Sequence, residues 1–338
     1  MAADIAEQPE VYARLLAAPH ADAIAEIAGA IAVHRPRHVV LTARGTSDHA
    51  ALYGAYLAEI RLGLPAGLAS PSAITVFGAR PDFSGALVIG VSQSGGSPDL
   101  TEVLRVARAS GALTLAVTND PGSPLATAAE LSIDVAAGHE RAVAATKSYT
   151  AELLTLLMLV EGIRAGDGRL PAAETAALNA LPGLAERTLA DPTAVELAPR
   201  YRFAGRIVTT GRGYAYPTAR EAALKLMETS YVAALAFSGA DLLHGPLAMA
   251  DPDVPVLAVA GAGPGGEAMR NVLALLGERR ADVVVVGPDQ TIPVPAVDER
   301  YAPLLDILPL QRLALALALA RGEDPDSPRG LRKITATL

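Results

Sequence analysis

The chain has 338 residues, 51% of them apolar, a formal net charge of −8 and no cysteine. That length suits two ordinary domains with sizeable cores. The missing cysteine excludes disulfides, thiolate metal sites and cysteine nucleophiles, and the acidic balance argues against nucleic-acid binding, which needs a basic footprint.

The first residues, Met1-Ala-Ala-Asp-Ile-Ala-Glu-Gln-Pro9, offer neither a basic region nor an apolar signal core, so a cytoplasmic address is expected. Three short β-rich apolar runs follow, at His38–Gly45, Ala86–Val91 and Thr114–Val117, each leading into a helical pattern. A Pro/Gly/Ala-rich stretch from Gly166 to Gly183 comes next, with a helical portion at Ala172–Leu181. Beyond it the apolar runs return, at Arg206–Gly213, Val254–Val259 and Asp282–Val285. Shifting the chain by 168 residues lays the second three on the first three in one register, the mark of an internal duplication. Continuous apolar strands alternating with helices indicate buried parallel sheets. The expected fold class is α/β, as two tandem doubly wound, flavodoxin-like αβα domains. We place an N-terminal helix and the first domain in 1–170, a linker region in 171–187, the second domain in 188–320 and a C-terminal tail in 321–338. The last long apolar stretch, Leu304–Ala320, is interrupted by Asp306, Pro309 and Arg312, so no membrane span is expected.

In such sheets ligands bind where strand ends lead into helix N-termini. The first half carries Arg44-Gly45-Thr46-Ser47 after one strand and Ser92-Gln93-Ser94-Gly95-Gly96-Ser97-Pro98-Asp99 after the next. Hydroxyls beside peptide N–H groups at helix starts suit a phosphate, though Ser and Thr also serve there as plain caps. The matching second-half loops, Arg212-Gly213-Tyr214-Ala215 and Ala260-Gly261-Ala262-Gly263-Pro264-Gly265, carry almost no hydroxyls. The second half instead offers Glu221, Lys225 and Glu228, spaced i, i+4 and i+7 on one helical face. Such a face is either solvated and held by a Glu–Lys pair, or, with His244 on a loop downstream, an acid–base set. No His/Asp/Glu cluster has metal-ligand spacing, so neither metal nor cofactor is expected.

Several ordered segments are similar to the sugar isomerase (SIS) domain family: Asp4–Pro9, Gly45–Ser47, Ser92–Gly95, Ala137–Glu140, Ala145–Lys147, Gly211–Gly213, Ala223–Leu226, His244–Leu247 and Pro328–Lys333. They resemble the isomerase portion of glutamine–fructose-6-phosphate aminotransferase and its stand-alone phosphosugar relatives. The resemblance implies that Gly45, Thr46, Ser47, Ser92, Gln93, Ser94 and Ser97 line the phosphate site and that the Val143 backbone meets the sugar. It implies that Glu228 moves a proton between carbons 1 and 2, supported by Glu221 and Lys225. His244 would open the ring from a neighbouring subunit, making a homodimer, and Lys333 would form a Schiff base with a ketose.

Departures narrow the expectation. The chain starts where the aminotransferase's glutaminase half would end, and it has no cysteine to release ammonia from glutamine. Ser94-Gly-Gly-Ser97-Pro-Asp99 follows the stand-alone pattern, Ala233 stands where the aminotransferase has histidine, and Arg332 precedes the terminal lysine. The expected activity is therefore an amino-sugar-phosphate isomerase/deaminase, most simply glucosamine 6-phosphate to fructose 6-phosphate plus ammonia. Dehydration of an N-acetylated substrate begins with the same proton abstraction. A sugar-phosphate sensor needs a DNA-binding segment, and the residues before the first strand are too few and lack a basic face.

Overall fold

The computed structural model describes residues 1–331, so Lys333 lies outside the described residues. Two compact units divide them: one comprises Glu10–Glu140 and Lys147–Ala180, the other Met1–Pro9, Arg141–Thr146 and Leu181–Leu331. They are interleaved in sequence, and the stretch 171–187 is mostly helical, in Ala172–Asn179 and Leu181–Ala190.

The first unit is built on strands β1 (His38–Thr42), β2 (Ala66–Leu68), β3 (Ala86–Ser92), β4 (Leu113–Thr118) and β5 (Leu131–Asp134). They form one parallel sheet in the order β2-β1-β3-β4-β5. All seven residues of β3 are buried, which is why its sequence is continuous rather than alternating. Val88 and Ala116 pack against Leu100, Val103 and Leu104 of the Pro98–Ala109 helix, and burying each large aliphatic contributes about 1.5–3 kcal/mol. The Thr46–Leu57 helix follows β1 and packs on the Lys147–Ala165 helix. A Cβ at Gly54 would stand 2.9 Å from Leu41 and 3.3 Å from Leu156, so a side chain there would push this helix off the sheet.

The second unit repeats the plan with β6 (Arg206–Gly211), β7 (Ala233–Ser238), β8 (Val256–Val259), β9 (Val283–Gly287) and β10 (Ile292–Pro293), in the order β10-β9-β8-β6-β7. Read from the other edge, this is the same flavodoxin-like order, second strand outside the first. The duplication holds at the level of pairing: Val40 pairs with Val88 and Val208 with Val256, an offset of 168. At the next pair the single register needs correction. Val88 pairs with Thr114, whereas Val256 pairs with Val283, an offset of 169. The run Val283–Val286 is uniform, so it reads identically in either register and conceals a one-residue insertion.

The Ala215–Ser230 helix packs on β6 and β7 and along the Pro303–Ala320 helix. The latter is long and apolar enough to cross a membrane, but 72% of it is buried inside the fold, as a core helix is. It runs continuously through Asp306 and Pro309, both buried. Near the end of the described chain, Arg329 N–H donates to the Tyr231 hydroxyl at 2.8 Å and its guanidinium lies 3.9 Å from the ring centroid. Tyr231 caps the Ala215–Ser230 helix in a left-handed conformation, so this end of the chain is tied beside the helix end that bears Glu228.

Candidate active site

In the first unit the phosphate candidates gather at the carboxyl ends of β1 and β3. Gly45 precedes the Thr46–Leu57 helix at φ +56°, a conformation glycine adopts without strain. Ser92 ends β3, and Gln93, Ser94, Gly95 and Gly96 turn the chain to Ser97, which precedes the helix that opens with Pro98. The hydroxyls do more than line the turn. Gly95 N–H donates to Ser92 Oγ at 3.1 Å and Gly96 N–H to Ser94 Oγ at 3.3 Å. Two peptide donors that the sequence left for an anion are thus held internally. Both hydroxyl protons remain directed by these bonds toward other acceptors. Gly95 is at φ +60°, and a Cβ there would stand 2.0 Å from Ser123 Oγ, which fixes how the turn sits on the neighbouring loop. Thr46 is half-buried on the first helical turn. Ser47 is buried and donates to Glu152 Oε1 at 2.8 Å, so its lone pairs rather than its proton face any ligand.

The second unit holds the acid–base candidates. Glu221, Lys225 and Glu228 project from the Ala215–Ser230 helix, and the solvated-face reading of their spacing is overturned by burial. The side chains of Glu221 and Lys225 are 0% exposed and that of Glu228 is 22% exposed. Lys225 Nζ lies 3.3 Å from Glu221 Oε1 and 2.5 Å from Glu228 Oε2. Burial alone would lower the ammonium's proton affinity, but the two carboxylates outweigh it and hold the Lys225 pKa above the ordinary lysine value. The cation thus bridges one sealed carboxylate and one that reaches solvent.

His244 is the C-cap of the short Gly239–Leu243 helix and is exposed. Its backbone N–H donates to Asp241 O at 3.0 Å, and its ring bonds no group among the described residues. Val143 is half-buried in the bend Arg141–Thr146, which belongs with the second unit. The structure therefore assembles the hydroxyl set in one unit and the Glu–Lys–Glu set in the other. No group of three or more His, Cys, Asp or Glu is placed to hold a metal ion among the described residues.

Four features escaped the sequence. Glu152, the partner of Ser47, is 105 residues away from it. Arg44 Nε donates to the buried Asp99 Oδ2 at 2.8 Å, joining the two phosphate-candidate loops. Glu299 sits at the second-half loop that corresponds to the Ser92–Ser97 turn: Gly266 N–H donates to its Oε1 at 3.2 Å. A Cβ at Gly263 or Gly265 would fall 2.8 or 2.2 Å from its carboxylate oxygens, so these glycines make room for it. An internal carboxylate therefore occupies the helix N-terminus where the first half presents an open turn. Its burial raises its pKa against the Gly265 and Gly266 N–H bonds that favour ionisation, and Asp298 and Glu267 add to the rise. Fourth, Asp306 is buried with Oδ2 bonded to nothing among the described residues, and its pKa rises to about 8 through burial first and the Glu299 charge second. Glu299 is 33 residues beyond Gly266, with no local pattern to announce it.

Comparison with known proteins agrees with this architecture. The SIS domain model matches residues 33–162 and 201–292, one segment for each sheet. Glutamine–fructose-6-phosphate aminotransferase [isomerizing] of Gloeobacter violaceus is 37% identical over 313 residues, covering 87% of this chain and 51% of that protein. The chain thus spans about half the length of the curated relatives it matches. A Silicibacter pomeroyi protein provisionally described as a phosphosugar isomerase is similar in structure at TM-score 0.83 and 33% identity, covering 96% of this chain and 98% of that one. The C-terminal domain of glucosamine-fructose-6-phosphate aminotransferase from Francisella tularensis superposes at TM-score 0.87 with 27% identity, covering 96% of each chain. With two matched segments, two sheets of one order and a relative matched along nearly its whole length, this chain belongs to the SIS domain family.

Proposed function

We propose that the chain is a phosphosugar isomerase acting on an amino-sugar phosphate, most simply converting glucosamine 6-phosphate and water to fructose 6-phosphate and ammonia. The observation that carries this reading is the Lys225 bridge. It holds two carboxylates on one helix, yet of the two only Glu228 reaches solvent, which supports Glu228 as the reacting group and Glu221 as its support. The relatives' names, with aminotransferase and phosphosugar isomerase among them, support the substrate class.

In the proposed reaction the hydroxyl turn at Ser92–Ser97, with Thr46 and the backbone at Gly45, receives the phosphoryl group. Ser47, its proton committed to Glu152, accepts from a sugar hydroxyl. His244 moves the proton that opens the ring and serves the site of a second copy of the chain. Glu228 removes the proton from carbon 2 of the open-chain aldehyde and delivers it to carbon 1. The electron pair shifts through the enolamine, leaving a ketimine at carbon 2 and a hydroxyl at carbon 1. Water adds to the ketimine, and ammonia leaves. Each positioned acid or base contributes about 10²–10⁴-fold. Lys225 aims Glu228 through its 2.5 Å contact with Oε2, and Glu221 holds the same ammonium from the buried side at 3.3 Å. With no cysteine, the chain brings no cysteine nucleophile to draw ammonia from glutamine. Lys333 is proposed as the Schiff-base lysine from sequence alone.

The test is incubation with glucosamine 6-phosphate, its N-acetyl form and fructose 6-phosphate, followed by NMR of the sugars and an ammonia assay. Ammonia and fructose 6-phosphate from the first substrate support the reading. An unsaturated sugar from the second would replace deamination by dehydration. Binding without turnover of any of them would make the chain a sensor.

A further inference from the structure

The hydroxyl turn supplies only neutral donors, yet it belongs to an acidic chain of net charge −8 and has a carboxylate at its rim. Asp99 is the second residue of the Pro98–Ala109 helix, two positions past Ser97, and its side chain is 1% exposed. One of its oxygens accepts the Leu100 N–H at 2.9 Å. An anion at a helix's first turn is stabilised by the helix dipole, so Asp99 competes with an incoming phosphate for the same field and repels it. The other oxygen is met by Arg44 Nε at 2.8 Å. Arg44 immediately precedes Gly45 in the β1 loop, so its guanidinium stands between the two loops expected to hold the phosphoryl group. Its side chain is 43% exposed, and its two Nη groups bond nothing else among the described residues. A guanidinium held through Nε presents a two-pronged N–H face whose spacing matches two oxygens of a phosphate.

We propose that Arg44 is the cationic ligand of the sugar-phosphate site: Asp99 fixes it by Nε, and its free Nη edge takes two oxygens of the phosphoryl group. This rests on the phosphosugar reading above and adds to it the charged residue which that reading lacks. Asp99 is thereby a positioning residue, neutralised by Arg44 in the empty site and bridged through it to the ligand in the filled one.

The experiment measures dissociation constants of fructose 6-phosphate, inorganic phosphate and fructose by calorimetry for the parent chain and for Arg44→Ala, Arg44→Lys, Asp99→Asn and Arg44→Ala/Asp99→Asn. The double variant matters because Arg44→Ala alone strands a buried carboxylate and can unfold the loop. Direct contact predicts that Arg44→Ala/Asp99→Asn binds fructose 6-phosphate and phosphate about 10- to 100-fold more weakly than the parent. It also predicts that Arg44→Lys falls between, and that Asp99→Asn, whose amide oxygen can still accept from Nε but holds it less firmly, loses less affinity than the double variant. Parent-like affinity in the double variant would overturn the proposal, because Arg44 would then serve only to neutralise Asp99. A parent chain that binds fructose 6-phosphate no better than fructose would sink the phosphosugar reading itself, and this inference with it. A parent that discriminates beside an indifferent double variant removes Arg44 alone.

Discussion

Replacing Asp306 with asparagine takes a titrating group out of the core of the second unit and should change how stability depends on pH. Asp306 is 2% exposed, and burial together with Glu299 lifts its pKa from 3.8 to about 8. In the unfolded chain the carboxyl ionises near pH 4, whereas in the folded chain it keeps its proton until about pH 8. Between those values the folded state binds more protons than the unfolded one, so rising pH lowers stability, by roughly 1.4 kcal/mol per unit. Over the whole window the loss is on the order of 5 kcal/mol, an upper bound because nearby side chains can relax around the charge. Asparagine keeps the shape without the titration, although its amide buries a donor in place of an oxygen that lacks a partner, at about 1–3 kcal/mol. The variant should therefore be equal to or slightly less stable than the parent at pH 5 and clearly more stable at pH 8. Urea unfolding at half-unit pH steps measures the difference between the two chains. Parallel pH profiles for parent and Asp306→Asn would refute the assignment of a neutral, proton-holding Asp306.

Other outcomes follow from the same geometry. Lys225→Met removes the cation from between Glu221 and Glu228 and should cost about 3–5 kcal/mol in urea unfolding, with Glu221→Gln in the same background recovering part of it. An unchanged midpoint would mean the pair is not held as described. Glu299→Ala empties the Gly263–Gly266 turn and frees the N–H groups of Gly265 and Gly266, so it should lower stability by about 1–2 kcal/mol. Millimolar sulfate should then raise the melting temperature of the variant more than that of the parent, and equal sulfate effects would contradict an internal carboxylate that stands in for an anion. Mixing inactive His244→Ala and Glu228→Gln chains should restore activity if His244 serves a second copy's site. No recovery in mixtures shown to exchange subunits would place His244 elsewhere.

The strands were legible because buried parallel strands carry their burial in composition: Leu87 to Val91 reads as strand without help from its neighbours. The duplication was legible for the same reason, since a shift of 168 residues lays Ala86–Val91 on Val254–Val259, whereas the strand pairing itself came from the structure. The register of β9 was not, since four consecutive valines carry no phase. Within the candidate site, hydroxyl density and the i, i+4, i+7 spacing marked the right segments but said little of their state. Spacing alone cannot distinguish a solvated Glu–Lys pair from a buried one. The helix that carries Glu221 and Lys225 is enclosed by β6, β7 and the Pro303–Ala320 helix, the last some eighty residues on. The controlling contacts of Ser47 with Glu152, Arg44 with Asp99 and Gly266 with Glu299 are all made across loops distant in sequence, where local pattern has no purchase.

The claim on which the rest depends is that Glu228, and not Glu221, carries the proton. Their backbones lie two turns apart on one helix, yet both carboxylates meet at Lys225 Nζ, so access to a substrate is what separates them. Glu221 is sealed at 0% exposure, while Glu228 reaches the surface. The direct measurement is solvent deuterium exchange at carbon 2 of bound glucosamine 6-phosphate, followed by NMR for the parent, Glu228→Gln and Glu221→Gln. Exchange should fall about 10²-fold or more in Glu228→Gln with the substrate still bound, and far less in Glu221→Gln. Exchange in Glu228→Gln at near the parent rate would contradict the account and pass the role to another group.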